Sequence, residues 1–185
     1  GVQLYHDKAG PLQNTGLLAT YAYWIPFGKY KLSFGLQGTI SHLRVDWDEI
    51  NIEDKSDESF SGNNAFKILP DANFGIYLHS QRFYVGASVV HLVQNKFKFE
   101  DFTRDDAAKF YRHYYLMSGV VLKVSQNTDF RPSLLMKYVN AAPLDMEVNG
   151  CFIFYEKFFV GAGWRTSQKS NASKRDNQII GIVEW

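Results

Sequence analysis

Residues 77–92 read YLHSQRFYVGASVVHL, and the fold turns on what lies on either side of this stretch. Ser80-Gln81-Arg82 is a polar break of turn length. Past it, Phe83, Val85, Ala87 and Val89 alternate with Tyr84, Gly86, Ser88 and Val90. Alternation with period two marks a β-strand, yet neither face carries a charge. A strand of a soluble sandwich turns Lys, Glu or Arg toward water. Here one side is apolar and the other is small or polar, with Val90 the exception.

The pattern recurs along the chain. Strand-like runs rich in Val, Ile, Tyr, Phe and Leu fall at 1–6, 14–25, 30–45, 72–80, 83–92, 113–124, 130–139, 145–155, 157–166 and 177–185. Charges collect at their ends and in the connections. One face holds Leu32, Phe34, Leu36 and Ile40, then Phe74, Ile76 and Leu78, then Phe152, Phe154, Val160 and Trp164. The other holds Ser33, Gly35, Gln37 and Thr39, then Asn73, Gly75 and Tyr77, then Gly161, Gly163 and Arg165. Short connections (Pro26–Lys29, Ser80–Arg82, Ser125–Asp129, Glu156-Lys157) alternate with longer ones at 46–71, 93–112, 140–143 and 167–176, which predicts an antiparallel meander with tight turns at one end. The one helical signal is Thr103 with Asp106, a capping box inside a loop. The expected fold is all-β: a single domain over residues 1–185, an antiparallel up-and-down transmembrane β-barrel with about ten strands present. Aromatics at the tight-turn end, among them Tyr23, Trp24, Phe27, Tyr30, Phe83, Tyr155 and Phe158, suit a membrane–water boundary.

Composition narrows the function. A net charge of +1 gives no field for nucleic acid. No run of about eighteen apolar residues exists, so a transmembrane helix is not expected, which leaves membrane strands open. The opening GVQLYHDKAG lacks a basic n-region and an apolar h-region, so an export signal is expected upstream or already removed. Cys151 is the one cysteine and reads as a small buried side chain. His6, His42, His79, His91 and His113 are scattered, and no HExxH, GxSxG or phosphate-binding loop is present. No catalytic residue, metal site or cofactor is expected. The acidic segment from Asp46 to Glu58 lacks calcium-loop spacing and reads as a solvated loop, as does the basic stretch to Arg175 with Lys169 and Lys174. Asn171-Ala172-Ser173 has the form of a sequon.

Folding 130–139 back on 145–155, and that strand on 157–166, places Lys137 roughly opposite Glu147 and Glu147 roughly opposite Arg165. A lumen-facing Lys137–Glu147–Arg165 cluster near the loop end is the expected charge site. The sequence singles out no residue that grips a partner.

Residues 113–165 carry a more specific signal. His113-Tyr114-Tyr115, Pro132-Ser133 through Lys137-Tyr138, Ala142-Pro143-Leu144, Phe152–Tyr155 and Val160–Arg165 follow one another in an order that resembles the PorP/SprF family of the type IX secretion system of Bacteroidetes. Asp7–Pro11, Thr15–Leu17, Tyr21–Tyr23, Leu32–Leu36 and Phe83–Ser88 extend the resemblance over nearly the whole chain; Ala141 and Glu147 stand where the family usually has Gly and Asp. The resemblance implies an integral outer-membrane barrel of about fourteen strands, with strands before Gly1 and after Trp185. A final aromatic such as Trp185 also fits a barrel that finishes there. It implies a non-enzymatic role in secreting or anchoring surface adhesins, including those of gliding motility. Outer-membrane lipid, adhesin cargo and periplasmic type IX components would be its partners. A general porin is the alternative, against which large inward residues such as Tyr77, Leu135 and Arg165 argue. A lipocalin-like soluble binder and an outer-membrane hydrolase are the remaining classes.

Overall fold

The computed structural model of the chain describes residues 1–46, 65–97, 108–140, 142–168 and 175–184. Nearly all of these are strand: β1 (Val2–Ala9), β2 (Leu12–Phe27), β3 (Tyr30–Val45), β4 (Ala65–His79), β5 (Phe83–Val90), β6 (Lys96–Phe97), β7 (Ala108–Lys109), β8 (His113–Val120), β9 (Leu122–Ser125), β10 (Thr128–Val139), β11 (Asp145–Phe154), β12 (Phe158–Gln168) and β13 (Arg175–Glu184). Eleven strands make one antiparallel sheet in the order β1-β2-β3-β4-β5-β8-β10-β11-β12-β13, with β9 also beside β10. β6 and β7 pair with each other. Apart from the separate β6–β7 pair and β9, which follows β8 alongside β10, strands adjacent in the chain are adjacent in the sheet, the meander that the connections predict. No ladder joins β1 to β13 among the described residues, so the sheet is not closed there.

The chain divides into two compact units. The first takes Gly1–Tyr21, Leu36–Asn73 and His91–Tyr111; the second takes Ala22–Gly35, Phe74–Val90 and Arg112–Trp185. In the first, Leu36 and Ile40 are each 56% exposed, while Gln37, Thr39 and Ser41 between and beyond them are half-buried. In the second, Val148, Phe152, Val160 and Trp164 are exposed, while Cys151, on the opposite parity and paired with Gly161, is buried. Among the described residues the only buried apolar side chains are Leu43, Val45, Leu69 and Cys151. Burying a large aliphatic or aromatic side chain stabilises a protein in water by about 1.5–3 kcal/mol. A sheet that leaves Leu36, Ile40, Ile76, Phe152 and Trp164 open forgoes that gain. Its apolar face is built for a solvent other than water.

The half-covered face is held by a repeated device. Tyr5 is the Cα partner of Gly16, Tyr77 of Gly86, and Tyr84 of Gly119. Each ring lies across its glycine. A Cβ on Gly119 would stand 2.6 Å from Tyr84 Cε1, one on Gly86 would stand 2.9 Å from Tyr77 Cδ2, and one on Gly16 would overlap Tyr5. Glycine contributes the space and tyrosine the packing surface that a bare strand position lacks.

The structure departs from the expected elements in four places. β4 begins at Ala65, inside the stretch read as loop. Phe66 and Ile68 are exposed there and Leu69 is buried, which continues the parity of Phe74 and Ile76; the acidic composition before it and Pro70 within it hide the alternation. Pro70 is tolerated because it lies beyond the β4–β5 ladder, which ends at Phe74 with Val89. The 113–124 strand is interrupted at Val121, although Ser133 with Gly119 and Phe130 with Leu122 keep one register across the gap. Thr103 and Asp106 lie outside the described residues, but the end of the segment read as helical, Ala108–Lys109, is extended. The β1–β2 connection is a two-residue turn, Gly10-Pro11, at the end otherwise given to loops; Gly10 takes φ 57° there, as Gly28 takes 59° in its turn. The Phe154–Lys157 turn instead carries Tyr155 and Glu156 at φ 53° and 58°, with Lys157 N–H donating to Phe154 O at 3.0 Å. Left-handed backbone costs a non-glycine residue roughly 1–2 kcal/mol, and Tyr155 and Glu156 adopt it without the glycine or asparagine that would announce the turn.

Replacing Gly119 with Val should force the Tyr84 ring off its partner and cost about 1–3 kcal/mol. Urea unfolding of the detergent-folded chain, followed by tyrosine fluorescence, measures it. An unchanged midpoint would mean that the ring does not occupy that space.

Candidate functional site

The sequence-expected charge site lies on the polar face of β10, β11 and β12, within the second unit. Glu147 and Arg165 are Cα partners across β11 and β12. Arg165 Nε donates to Glu147 Oε2 at 2.7 Å, and Nη2 reaches the same oxygen. Asn149 Nδ2 donates to Oε1 at 3.0 Å, so both carboxylate oxygens are engaged. The Glu147 side chain is 17% exposed and that of Arg165 36%. Beside the pair, the buried Thr166 Oγ1 accepts from Met146 N–H at 2.9 Å and pins the loop end of β11 to β12.

Lys137 is set one pair away from the position directly opposite Glu147. Its Cα partners are Asp145 on one side and Tyr115 on the other, while Glu147 faces Leu135. The chain reverses one residue earlier than a Lys137–Glu147 pairing needs, with Ala142 N–H donating to Val139 O at 3.1 Å. Lys137 is therefore a diagonal neighbour of Glu147 on the same face, one pair further toward the loops.

Toward the tight turns this face becomes small. Ser133, Asn149 and Gly163 form one cross-strand row, and Arg131, Cys151 and Gly161 the next. Ser133, Asn149, Arg131 and Cys151 of these rows line a recess of about 380 Å³ bounded by Phe159, Ile182 and Glu184, with Arg131 lying 5.7 Å over the Phe159 ring. A second recess, about 370 Å³, has a floor of Ser33, Gly35, Gly75 and Ser88 and walls of Tyr77, Tyr115, Met117 and Leu135. Of the large residues expected to fill the interior, Tyr77 and Leu135 thus border a hollow lined by glycine and serine, and Arg165 borders the other recess.

In the first unit the polar face carries a ladder of amides. Gln37 Nε2 donates to Thr20 Oγ1 at 3.0 Å, and Asn73 Nδ2 donates to Gln37 Oε1 at 2.6 Å. Asn73 Oδ1 accepts from His91 N–H at 3.0 Å. His91 Nδ1 meets Asp71 Oδ2 at 2.5 Å, and its ring stacks on Phe110. Gln37 and Asn73 were legible as polar residues in uncharged strands. Asp71 and His91 were not legible as partners, because His91 at φ 61° leaves the β4–β5 ladder to reach back. The other histidines are dispersed: His6 bonds Thr15 Oγ1 at 2.7 Å, His42 stacks on Phe66, His79 on Tyr77 and His113 on Tyr115. Among the described residues no three His, Cys, Asp or Glu side chains are grouped to hold a metal ion.

What these observations define is an antiparallel sheet with an apolar open face and a polar, hydrogen-bonded face. Residues 1–185 match the family described as type IX secretion system membrane protein PorP/SprF. The chain belongs to this family, a membrane component of a secretion machine rather than a class of enzymes. No curated protein and no solved structure matches the chain.

The Glu147–Arg165 pair is part-exposed, so its coupling should be modest. A double-mutant cycle with Glu147→Gln and Arg165→Gln is expected to give about 0.5–1 kcal/mol. The Glu147/Lys137 cycle should give less than half of that. Equal couplings in the two cycles would contradict the register described here.

Proposed function

We propose that the chain forms the wall of an outer-membrane β-barrel, with its apolar face in hydrocarbon and the Glu147–Arg165 and Gln37–Asn73 face toward the lumen. The barrel serves type IX secretion without chemistry of its own, as a station that helps secrete or anchor surface adhesins and meets the machine's periplasmic parts. The observation that carries the membrane reading is the exposure of Leu36, Ile40, Phe152, Val160 and Trp164 on one face while Gln37 and Asn73 bond to each other on the other. Membership of a type IX membrane family carries the secretion role. In this orientation the turns at Gly28, Arg82, Asn127 and Glu156 face the periplasm, and the long connections face outside. Gliding adhesins are the cargo class that the family resemblance suggests.

Two measurements bear on this. Val160→Arg puts a guanidinium in the apolar face and should cost about 2–4 kcal/mol in vesicle unfolding, whereas Ser133→Arg, on the polar face, should cost under about 1 kcal/mol. Equal costs would remove hydrocarbon from the account. Crosslinking in native membranes followed by affinity capture of the tagged chain should bring down type IX components and an exported adhesin. Recovery of neither would leave a barrel without a secretion role.

A further inference from the structure

The β4–β5 ladder ends at Phe74 with Val89, while β4 itself reaches back to Ala65. Backbone groups along that bare length need partners. The root of the β5–β8 connection, in the same compact unit, supplies some of them: Leu92 N–H donates to Ala72 O at 3.0 Å, and Asn95 Nδ2 to Pro70 O at 2.6 Å. The Asp71 side chain is only 9% exposed, a costly place for a carboxylate unless its oxygens are bonded. Oδ1 accepts from Ala72 N–H at 2.8 Å and from Val93 N–H at 3.3 Å, and Oδ2 meets His91 Nδ1 at 2.5 Å. His91 and Gln94 stand at φ 61° and 54°, left-handed values that such residues keep only where surrounding contacts hold them. The returning side of the connection joins the same cluster. Phe110 stacks on the His91 ring at 5.0 Å, and its N–H donates to Asn95 O at 3.0 Å.

Asp71 has the parity of Asn73, Gly75 and Tyr77, which is that of the polar face. Leu69 shares it, and on β3 Leu43 and Val45 share the parity of Gln37, to which Asn73 is bonded. These three apolar side chains are buried, whereas Phe66 and Ile68 on the opposite face are open. We infer that Asp71 and His91 latch the root of the β5–β8 connection onto the polar face of β4, as a strap that covers Leu43, Val45 and Leu69. The inference rests on the membrane reading above, which makes this face the lumen side, and adds an internal constriction at the end that carries the long connections. A connection standing clear of the sheet would leave three apolar side chains on a wall facing water and forgo the gain of burying them. Held inward, it narrows the path that a general porin would need.

The test uses the full chain folded in detergent, with Cys151→Ser removing the native thiol. Leu69→Cys should react with a water-soluble maleimide at least about tenfold more slowly than Lys31→Cys, which puts a thiol at an exposed position of the same parity as Gln37 on β3. Adding Asp71→Ala should speed the Leu69→Cys reaction about ten- to a hundredfold, the factor expected when a charge-assisted bond is lost. Asp71→Asn keeps an acceptor for Val93 N–H and should speed it less. Phe110→Ala leaves β4 unaltered and should act in the same direction as Asp71→Ala. Circular dichroism checks that each variant keeps its sheet. A Leu69→Cys thiol as reactive as that of Lys31→Cys overturns the inference, and so does a protected thiol whose rate a folded Asp71→Ala or Phe110→Ala chain leaves unchanged. Transfer into phosphatidylcholine vesicles separates the two readings. A chain that inserts but has a reactive Leu69→Cys thiol loses only the strap; a chain that does not insert but protects that thiol keeps the strap and loses the membrane reading.

Discussion

The structure depends on the side of the sheet to which its large apolar residues are turned. In water the two faces would be expected to trade roles, with Ile76, Phe152 and Trp164 drawn together and Gln37 and Asn73 turned out. The opposite arrangement holds: the amides bond to one another while the hydrophobes stand open. Four buried apolar side chains among the described residues are too few to set against the conformational entropy of so many ordered strands, at roughly 1–2 kcal/mol per residue. The backbone ladder and the medium must supply what a core supplies elsewhere. In the bilayer setting proposed above, hydrocarbon would do so by making every unpaired strand hydrogen bond expensive.

The polar face is then the place where side chains can set register. Register in a sheet with one hydrophobic face is strongly specified by parity, but parity alone permits slips of two residues. The Glu147–Arg165 pair, the Thr166–Met146 bond and the Thr20–Gln37–Asn73 ladder are local, directional contacts. Each is lost when its strands move by one pair. They add little energy individually and discriminate among alignments that the apolar face scores alike.

The sheet was legible because its signal is a repeat of two with charges confined to the ends. Eight uncharged residues at Phe83–Val90 sufficed to read one strand, and the same pattern located its neighbours. What escaped was local. Nothing in Ala65–Pro70 looks like a strand beside an acidic stretch, although Phe66, Ile68 and Leu69 alternate once their faces are known. Glu147 opposite Arg165 could be read because the β11–β12 turn is short, so counting back from it is safe. Lys137 could not be placed as well, since a five-residue connection leaves the centre of reversal uncertain by one residue and the pairing by two. Asp71 with His91 depends on a left-handed residue, for which histidine gives no warning.

The tyrosine–glycine partnerships have a meaning for assembly. A ring can lie across a neighbouring strand only where that strand offers a bare backbone, and Gly16, Gly86 and Gly119 offer it at one position each. Shift β5 by a single pair against β8 and Tyr84 meets Met117 or Val121 in place of Gly119. The three partnerships therefore work as keyed joints: strands displaced by one pair lose the bare backbone that the ring lies across.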